Sequence, residues 1–483
     1  MAESSKASSS RTSKTGELVK VYGDLYVRAY WEIMTVAKYY YTWVHKLPEL
    51  HDGDAPIYAA DQIEMSREDA VIPMPASDLV SMMMNVKEWE KTFMHIVYGS
   101  RANFNTGNVL SQVSRRMNTL EVVGVLTKFQ LPTTFVPMRD FSCLRYLTKI
   151  TEGVYAIIDV SIDLTNPIRK SGVIIRDKGQ NSEIIWLESV PDMRSRRREI
   201  TIYASIINSK LVFEPKQWIS TLLWDLKRQR SAIIEAKIHV LPNVDGTLLE
   251  IADNMKLFFK QCVAYEADDK RFEVSRNVSR NGEFRIMGIK RWIALDNLDL
   301  LARICVTSFA IHDITPLKVF QILVKMNVQL LLSSLPGVDK SCEQVLKFES
   351  EDGSNSITLH RKRSVRDNFE YYFQEASRSD YCSFVIARPM TNEEVEYFIV
   401  SKNGDPFNLK LESTAVSGFA IMPNGPGGLN SAGCLVTYVM QLNRLPQFHF
   451  SQALKQLVND LNQTETGLNK ERSLFSCMPC WKQ

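Results

Sequence analysis

Apolar and polar positions alternate along two neighbouring stretches in the first half of the chain. Successive residues of a strand point to opposite sides, so every second residue shares a face. On one face of the first stretch lie Phe141, Cys143, Arg145 and Leu147. After a short turn at residues 151–153, the second stretch has an apolar face made of Val154, Ala156, Ile158, Val160 and Ile162. The pattern predicts a long antiparallel hairpin that places one arginine among apolar residues.

The side chain of Arg145 has two possible positions. It reaches water past its neighbours, or it forms a polar point inside an apolar cavity and then needs a partner there. Asp159, on the second stretch, is one candidate carboxylate, but simple alternation puts it on the face opposite the apolar row of its strand. The headgroup of a ligand is the other candidate partner for Arg145.

Three segments show helical spacing of apolar residues. Residues 17–47 drift away from a strict heptad, which favours a packed domain helix over a zipper. Residues 77–93 form a second predicted helix, which begins at a capping Ser77 or Asp78. Residues 214–230 form a longer amphipathic helix. Its apolar stripe consists of Trp218, Leu222 and Leu226. We expect this stripe to face a cavity.

The second half of the chain repeats the order of the first. A helix after Pro316, strands over residues 357–442 and a helix over residues 451–462 echo the earlier plan. This order is typical of an α+β helix-grip fold, in which an antiparallel sheet curls around a long C-terminal helix. The predicted domains are a disordered tail (1–16), a first domain (17–237), a second domain (246–465) and a flexible tail (466–483).

The hairpin resembles the central hairpin of START domains, the steroidogenic-acute-regulatory-related lipid transfer family. In that family the strand opens with a PRDF-like motif and carries an arginine six residues on. The matching positions here are Arg139, Asp140, Phe141 and Arg145. The chain is more narrowly similar to the C-terminal region of plant class IV homeodomain leucine-zipper proteins. The supporting pieces come in the family's order: SDLVSMMMNVKEWEKTF from Ser77, SGVIIRD from Ser171, SEIIWLES from Ser182, SKLVFEPKQWISTLLWDLKRQR from Ser209, FAIHDITPLKVFQIL from Phe309 and GDPFNLKLESTAVSGFAIMPNGP from Gly404.

The resemblance implies a START helix-grip fold, followed by a second α+β START-associated domain, and a lipid or sterol ligand. The candidate cavity residues are Arg145, Lys128, Phe141, Cys143, Leu147, Trp186, Trp218, Leu222 and Leu226. Lys128 stands where the plant family commonly has a glutamate, eleven residues before Arg139. By parity it shares the inward face with Arg145. Two cations in the cavity favour a phospholipid over a neutral sterol hydroxyl.

Composition limits the other function classes. The net charge of +3 is too small to indicate a nucleic-acid binder, and the eight cysteines are scattered without a disulfide or zinc spacing. The sequence has no HExxH, no Gly-x-Ser-x-Gly elbow, no P-loop and no dinucleotide fingerprint. We therefore expect no enzyme activity, no catalytic residues, no metal and no cofactor. No apolar stretch approaches the length of a transmembrane segment.

The resemblance implies a ligand-responsive regulator in transcription control. It would act through protein partners, including homeodomain-bearing relatives, in the nucleus or the cytoplasm. Direct sequence-specific DNA binding is not expected, because no recognition helix precedes the START-like region. Two alternatives stay open. One is a cytosolic lipid-transfer carrier. The other is a non-binding interaction module, whose cavity is filled by side chains such as Trp186 and Phe141.

Overall fold

The computed structural model describes residues 2–41, 65–102, 107–134, 136, 138–162, 170–189, 213–240, 244–264, 272–279, 282–289, 303–333, 342–363, 369–391, 394–395, 416–425 and 427–442. The chain divides into two compact units. Unit 1 comprises Met1–Phe129, Met138–Arg197 and Val212–Leu223, and unit 2 comprises Gln130–Pro137, Arg198–Leu211 and Trp224–Gln483. The domain boundaries given in the sequence analysis stay predictions.

Unit 1 is built on one antiparallel sheet of seven strands in the order β1-β7-β6-β5-β4-β3-β2. Its strands are β1 Ser66–Ile72, β2 Val97–Ala102, β3 Glu121–Phe129, β4 Arg139–Thr151, β5 Val154–Ser161, β6 Lys170–Lys178 and β7 Asn181–Ser189. Its helices are α1 Ala2–Tyr40, α2 Ala76–Met84, α3 Val86–Thr92 and α4 Gly107–Met117, with α5 Pro215–Gln229 following. The predicted hairpin is confirmed as β4 and β5.

Both faces of this sheet are covered. The long helix α1 packs its Tyr26 and Ile33 onto one face, where Leu144, Tyr146 and Ile158 are buried beneath it. Ile33 comes so close to β6 that a Cβ at Gly172 would lie 2.7 Å from its Cδ1. The other face packs against α2, which contacts β6 and β7. Most side chains of the central strands β5, β6 and β7 are therefore buried on both faces, and burial alone does not tell which face holds a cavity.

Two helix predictions are corrected. The tail over residues 1–16 was expected to be disordered, but α1 begins at Ala2. This stretch contains no proline, and each residue added to an existing helix gains a backbone hydrogen bond for the ordering of one residue. The helix expected over residues 77–93 is divided into α2 and α3, because Asn85 has an extended backbone and its side chain caps α3 by accepting from the backbone N–H groups of Lys87 and Glu88.

Unit 2 contains an antiparallel sheet of ten strands in the order β8-β12-β13-β14-β15-β16-β17-β11-β10-β9. The strands are β8 Ala232–Ala236, β9 Phe272–Ser279, β10 Gly282–Ile289, β11 Arg303–His312, β12 Glu343–Glu349, β13 Asn355–Arg363, β14 Phe369–Arg378, β15 Ser383–Met390, β16 Ser417–Pro423 and β17 Gly433–Leu442. The helices are α6 Val244–Val263 and α7 Pro316–Ser333. Two antiparallel sheets with packed helices confirm the α+β class and the two-domain arrangement.

The helix α7 covers one face of the second sheet. Its Val319 and Leu323 belong to a core with Val385, Phe419 and Val436. On the other face Phe259 of α6 meets Phe384 edge-on, with ring centroids 5.9 Å apart. The helix predicted over residues 451–462 and the tail predicted over 466–483 lie outside the described residues.

Candidate functional site

The centre of the candidate site is an ion pair between adjacent strands. The register of β4 and β5 places Arg145 directly opposite Asp159. The guanidinium Nε donates to Oδ1 and Nη2 donates to Oδ2, each at 2.7 Å, and Nη1 donates to the carbonyl oxygen of Met83 at 2.6 Å. Arg145 is only 1% exposed. A bidentate arginine–carboxylate pair has the strongest geometry of this kind, because two parallel charge-assisted bonds fix both groups.

This pair corrects the reading of Asp159. Simple alternation predicts Asp159 on the face opposite the apolar row of β5, and this counts against it as a partner of Arg145 only if that row faces the cavity. In the structure α1 covers that apolar row, which includes Ile158. Residues paired directly across two strands share a face. Arg145 and Asp159 therefore lie together on the opposite face, where Ile157 also borders the cavity.

The electrostatics of the pair favour the charged form of the arginine. Burial by itself lowers the pKa of Arg145, but the charge and hydrogen bonds of Asp159 outweigh it, and the net effect raises that pKa above its ordinary value. The guanidinium carbon also lies 4.4 Å from the centre of the Trp89 ring, a cation–π contact. Arg145 is thus already neutralised by a protein group before any ligand arrives.

A second polar group lies near the pair. Glu188 on β7 is 1% exposed. Its Oε1 accepts from the hydroxyl of Ser171 at 2.8 Å and from the indole Nε1 of Trp186 at 3.2 Å. The carboxylates of Glu188 and Asp159 accompany the single cation Arg145, so the polar end of the site has no excess of positive charge.

Three tryptophans stack beside these polar groups. The ring of Trp218 on α5 stacks on Trp89 of α3, with centroids 6.0 Å apart and planes 17° apart, and on Trp186 of β7, at 5.4 Å and 13°. Phe93 and Phe129 meet Trp218 edge-on at 5.2 Å and 5.8 Å. Stacked and edge-on contacts are the arrangements that aromatic rings prefer. The helix α5 thus closes this face of the sheet with an aromatic core.

The space left among these groups is small. A cavity of about 10 Å³ is bordered by Met83, Trp89, Arg145, Ile157, Asp159, Ser171, Val173, Trp186, Glu188 and Trp218. That volume corresponds to roughly one water molecule. Trp89 is 3% exposed, and its Nε1 has no hydrogen-bond partner in the structure. The cavity is therefore polar at one side, aromatic at the other and almost filled by the protein itself.

The predicted cavity residues fall into three groups. Arg145, Trp186 and Trp218 border the cavity. Phe141 and Cys143 lie on the same strand as Arg145 but pack into a separate small cluster with Val86 and Val125. The other three apolar residues are buried away from the lining; they are Leu147, Leu222 and Leu226. Their part in a ligand site stays a prediction.

Lys128 does not share the face of Arg145. The register of β3 and β4 pairs Lys128 with Asp140, and it pairs Val123 with Arg145, so Lys128 is on the other face. Its Nζ lies 3.6 Å from Asp140 Oδ1, with a third of the lysine side chain exposed. The expected second cation of the cavity is thus wrong. The alternation of a single strand does not fix which face Lys128 shares with Arg145, because that depends on the register between β3 and β4.

Three polar or aromatic residues of the lining were not predicted, namely Trp89, Ser171 and Glu188, and Asp159 was predicted only as a doubtful partner of Arg145. The turn alone did not fix the partner of Arg145, because Thr151 pairs with Val154 and a register shift between Lys149 and Thr151 brings Arg145 opposite Asp159. Trp89 and Glu188 carry no local signal, since α3 and β7 reach the site only through the tertiary fold.

A larger groove lies elsewhere in unit 1. It has a volume of about 590 Å³, is open to solvent and runs between α4 and the start of β3, beside Leu110, Arg115 and Leu120. None of the predicted site residues borders it. Among the described residues, no group of three or more His, Cys, Asp or Glu side chains could hold a metal ion. No helix in the described part of the chain is long and apolar enough to cross a membrane.

Comparison with known proteins identifies related sequences. Residues 28–222 match the family model of the START domain. The homeobox-leucine zipper protein HDG9 of Arabidopsis thaliana is 28% identical over 194 residues, which are 38% of this chain and 26% of that protein. HDG3 of the same plant is 22% identical over 460 residues, 88% of this chain and 59% of HDG3. HDG7 is 23% identical over 432 residues, 82% of this chain and 60% of HDG7. The chain thus spans at most three fifths of the length of these relatives.

Among solved structures, the di-domain ARO/CYC protein BexL from the BE-7585A biosynthetic pathway is 9% identical. The match covers 84% of this chain and 96% of BexL, with a TM-score of 0.20. A superposition of that quality carries no argument about this protein.

Proposed function

Because the chain carries a START domain over residues 28–222 and is similar over most of its length to plant homeobox-leucine zipper proteins of class IV, we propose that it is a lipid-binding regulator. The START domain binds a lipid, and the bound state is read by protein partners in transcription control. The observation that carries the proposal is the buried pair of Arg145 and Asp159 beside a cavity under α5. Ligand pockets combine mostly apolar walls with a few fixed polar groups, as this site does.

The charge of the site favours a neutral lipid. The earlier preference for a phospholipid rested on Lys128 as a second cation, and Lys128 lies on the other face of the sheet. Asp159 already neutralises Arg145, and Glu188 adds a further carboxylate. A phosphate would meet repulsion from these carboxylates, whereas a hydroxyl group both donates to and accepts from such neighbours. We therefore place a sterol or another neutral hydroxylated lipid ahead of phospholipid.

The proposed role is non-enzymatic and nuclear. It follows from the similarity to homeobox-leucine zipper proteins, not from a feature of the site. The START-like region of residues 28–222 is not expected to read DNA itself. A gel shift with the purified chain at physiological salt tests this point: we expect no discrete complex, and a discrete sequence-specific complex would contradict it.

The central experiment asks whether lipid is bound at the Arg145 pair. Native mass spectrometry of the chain purified from its own host should detect a bound lipid of one mass class, and lipid extraction should identify it. In the variant Arg145→Leu/Asp159→Leu both charges are replaced together, so no buried charge is left unpaired. We expect its lipid affinity to fall about tenfold. The variant can no longer form charge-assisted hydrogen bonds with the hydroxyl group of the lipid, and such bonds are worth roughly 1.5–3 kcal/mol.

A matched control lies on the same hairpin. Lys149 and Glu152 form an exposed ion pair at the tip of β4. The variant Lys149→Leu/Glu152→Leu likewise replaces one cation and one carboxylate of the same hairpin, at the end of β4 and in the turn, and should leave lipid binding unchanged. Equal loss of lipid in both variants would mean that the Arg145 pair has no special role in binding.

A second candidate function is a non-binding interaction module. The cavity of about 10 Å³ supports it, because a lipid fits only after side chains move. Lipid-free protein from the native host, together with no uptake from vesicles that contain sterol, would favour this module over the lipid-binding regulator. A protein that binds sterol but also moves it between vesicles would favour the third reading, a lipid carrier.

A further inference from the structure

The sheet of unit 1 has an incomplete edge at β3. Strand β3 pairs with β4 along its whole length, from Glu121 to Phe129. On its other side, the pairing with β2 ends where Ala102 lies opposite Val125. Within the described part of the chain, no residue pairs with residues 121–124 on this side. Because successive residues of a strand direct their backbone N–H and C=O groups to alternate sides, two of these four residues direct theirs to the open side.

A groove runs along this open edge. It has a volume of about 590 Å³ and is bordered by residues 120–124 on the strand side and by α4 on the other, through Leu110, Ser111, Ser114 and Arg115. That volume lies within the range of about 300–1,000 Å³ that is usual for binding pockets. An exposed strand edge accepts an extended peptide as an added strand, as it does in PDZ and PTB domains.

The end of α4 and the start of β3 are held in place by hydrogen bonds. The carbonyl oxygen of Ser114 accepts from the backbone N–H of Thr119 at 3.1 Å, and the Ser114 hydroxyl donates to the carbonyl oxygen of Thr119 at 3.0 Å. The backbone N–H of Leu120 donates to the carbonyl oxygen of Leu147 on β4 at 2.8 Å. The two walls of the groove are therefore preformed, which lowers the entropy cost of binding.

The open stretch of β3 is apolar, whereas the other edge of the sheet is charged. Glu121 is followed by Val122, Val123 and Gly124, and Leu120 just before it is 58% exposed. The opposite edge strand, β1, has an arginine, a glutamate and an aspartate in its first four residues. Proteins use charged side chains to keep an edge strand from pairing. The edge at β1 has this protection, and the open part of β3 lacks it after its first residue.

The charged groups around the groove favour an acidic partner. Arg115 borders the groove, and Arg116 follows it in the last turn of α4. Arg101 precedes Ala102, the last residue of β2. All three arginines are exposed, and no carboxylate among the described residues forms an ion pair with any of them. Against them the described lining has one carboxylate, Glu121, so positive charge prevails.

We propose that this groove binds an extended, acidic segment of a partner protein as an eighth strand of the sheet in unit 1. The segment pairs its backbone with residues 121–124, packs apolar side chains beside Leu120 and places a carboxylate against Arg115. Backbone pairing supplies affinity, and the alternate side chains supply specificity. No residue that borders the groove also borders the cavity under α5. The inference therefore does not depend on a lipid in that cavity, and either proposal can fail without the other.

The test uses two synthetic peptides and the full chain. The probe is a fluorescein-labelled heptapeptide in which valine alternates with glutamate between two terminal serines, and the second peptide has lysine in place of glutamate. Fluorescence anisotropy measures binding. We expect the acidic peptide to bind at least about tenfold more tightly than the basic one, because it gains charge-assisted bonds to Arg115. Equal binding of the two peptides, or no binding of either, would overturn the proposal.

Arg115→Glu and Arg116→Glu are a matched pair of variants. They make the same change of charge in the same helical turn, but of the two positions only 115 borders the groove. Arg115→Glu should weaken binding of the acidic peptide at least about tenfold and should bind the basic peptide more tightly than the wild type does, which a misfolded variant would not do. Arg116→Glu should change either affinity less than about threefold. Equal effects of the two variants would refute the groove as the site of binding.

Methylation of backbone nitrogens tests the strand pairing itself. One version of the acidic peptide is N-methylated at its valines and another at its glutamates, so each version lacks the N–H donors on one side of an extended strand. One version should bind as the unmodified peptide does, and the other should bind at least about tenfold more weakly, because its lost donors are those that face β3. Loss of binding in both versions, or in neither, would show that the peptide does not add to the sheet as a strand.

Discussion

Each unit of this protein buries charge, and the two arrangements differ. In unit 1 a single arginine, Arg145, is matched by a single carboxylate, Asp159, through two bonds of 2.7 Å. In unit 2 one oxygen of Glu375 on β14 accepts from both Arg228 Nε, at 2.9 Å, and Lys256 Nζ. The first pair is complete in itself. In the second arrangement two cations share one acceptor atom.

One of the two cations that share the carboxylate has a lowered pKa. Burial lowers the pKa of Lys256 to about 8, and the positive charge of Arg228 adds to this effect, despite the attraction of Glu375. Arg228 keeps a raised pKa, because Glu375 and Asp253 outweigh its burial. In the pair of unit 1 the arginine has a carboxylate to itself. In unit 2 the shared carboxylate keeps Arg228 charged, and Lys256 is the group that loses its proton first as the pH rises. We infer that the first arrangement suits a site and the second a structural core.

The largest effect is expected at the shared carboxylate. Glu375→Gln removes the charge that both Arg228 and Lys256 contact, and breaking a buried ion pair typically costs about 3–5 kcal/mol. Urea unfolding would measure the loss. Glu349→Gln removes a carboxylate from a partly exposed pair with Lys347 and should cost less than about 1 kcal/mol. Equal losses at the two positions would show that sharing is not what makes Glu375 important.

A somewhat smaller loss is expected for Arg145→Leu. It leaves one buried carboxylate, Asp159, whose side chain keeps 12% exposure, so the cost should be at the lower end, about 3 kcal/mol. Adding Asp159→Leu should restore most of the stability, because the two changes are coupled in direct contact. If the double variant is as unstable as the sum of the single ones, the pair does not act as a unit.

Lys256 of unit 2 should make the free energy of unfolding depend on pH. The folded-state pKa of Lys256 is about 8 against 10.5 in the ordinary state, so between these values the unfolded chain binds more protons and the free energy of unfolding rises with pH. Below about pH 8 the penalty of burying the charge is fully present. Lys256→Met should abolish the rise, which urea unfolding at a series of pH values between about 7 and 10.5 would measure. If the free energy of unfolding of this variant still rises with pH, the rise comes from another titrating group and the prediction for Lys256 is wrong.

The smallest effect is expected at Lys128. It pairs with an exposed Asp140 on the face away from Arg145. Lys128→Met should change the free energy of unfolding by less than about 0.5 kcal/mol and leave sterol and phospholipid binding as in the wild type. A selective loss of phospholipid binding would revive the expectation of a second cation in the cavity.

The elements that could be predicted are those with strong local periodicity. The alternation along β4 and β5 indicated the hairpin, and the apolar stripe of α5 indicated a helix with Trp218 on its buried side. The division between α2 and α3 was missed, because the capping by Asn85 interrupts a stretch whose apolar spacing still reads as one helix. The α+β class followed from the order of elements in each half.

Of the candidate site, Arg145, Trp186 and Trp218 were found from sequence and the family resemblance. Trp89 and Glu188 were not, because no local pattern distinguishes a tryptophan or glutamate that borders a cavity from one that merely packs. Residues 89, 186 and 218 are far apart in the chain, and their stacking depends on how α3, β7 and α5 meet.

The sequence by itself determined which residues share a face of each strand and helix, since a period of two or 3.6 is a local property of the backbone. The tertiary structure alone decided what covers each face. It put α1 over the apolar row of β5, so that Asp159 faces Arg145 in a buried pair and Lys128 faces away. It also stacked Trp218 against both Trp89 and Trp186. The physical reason is that both faces of a covered sheet select apolar residues, and only the register and the packed helices distinguish one from the other.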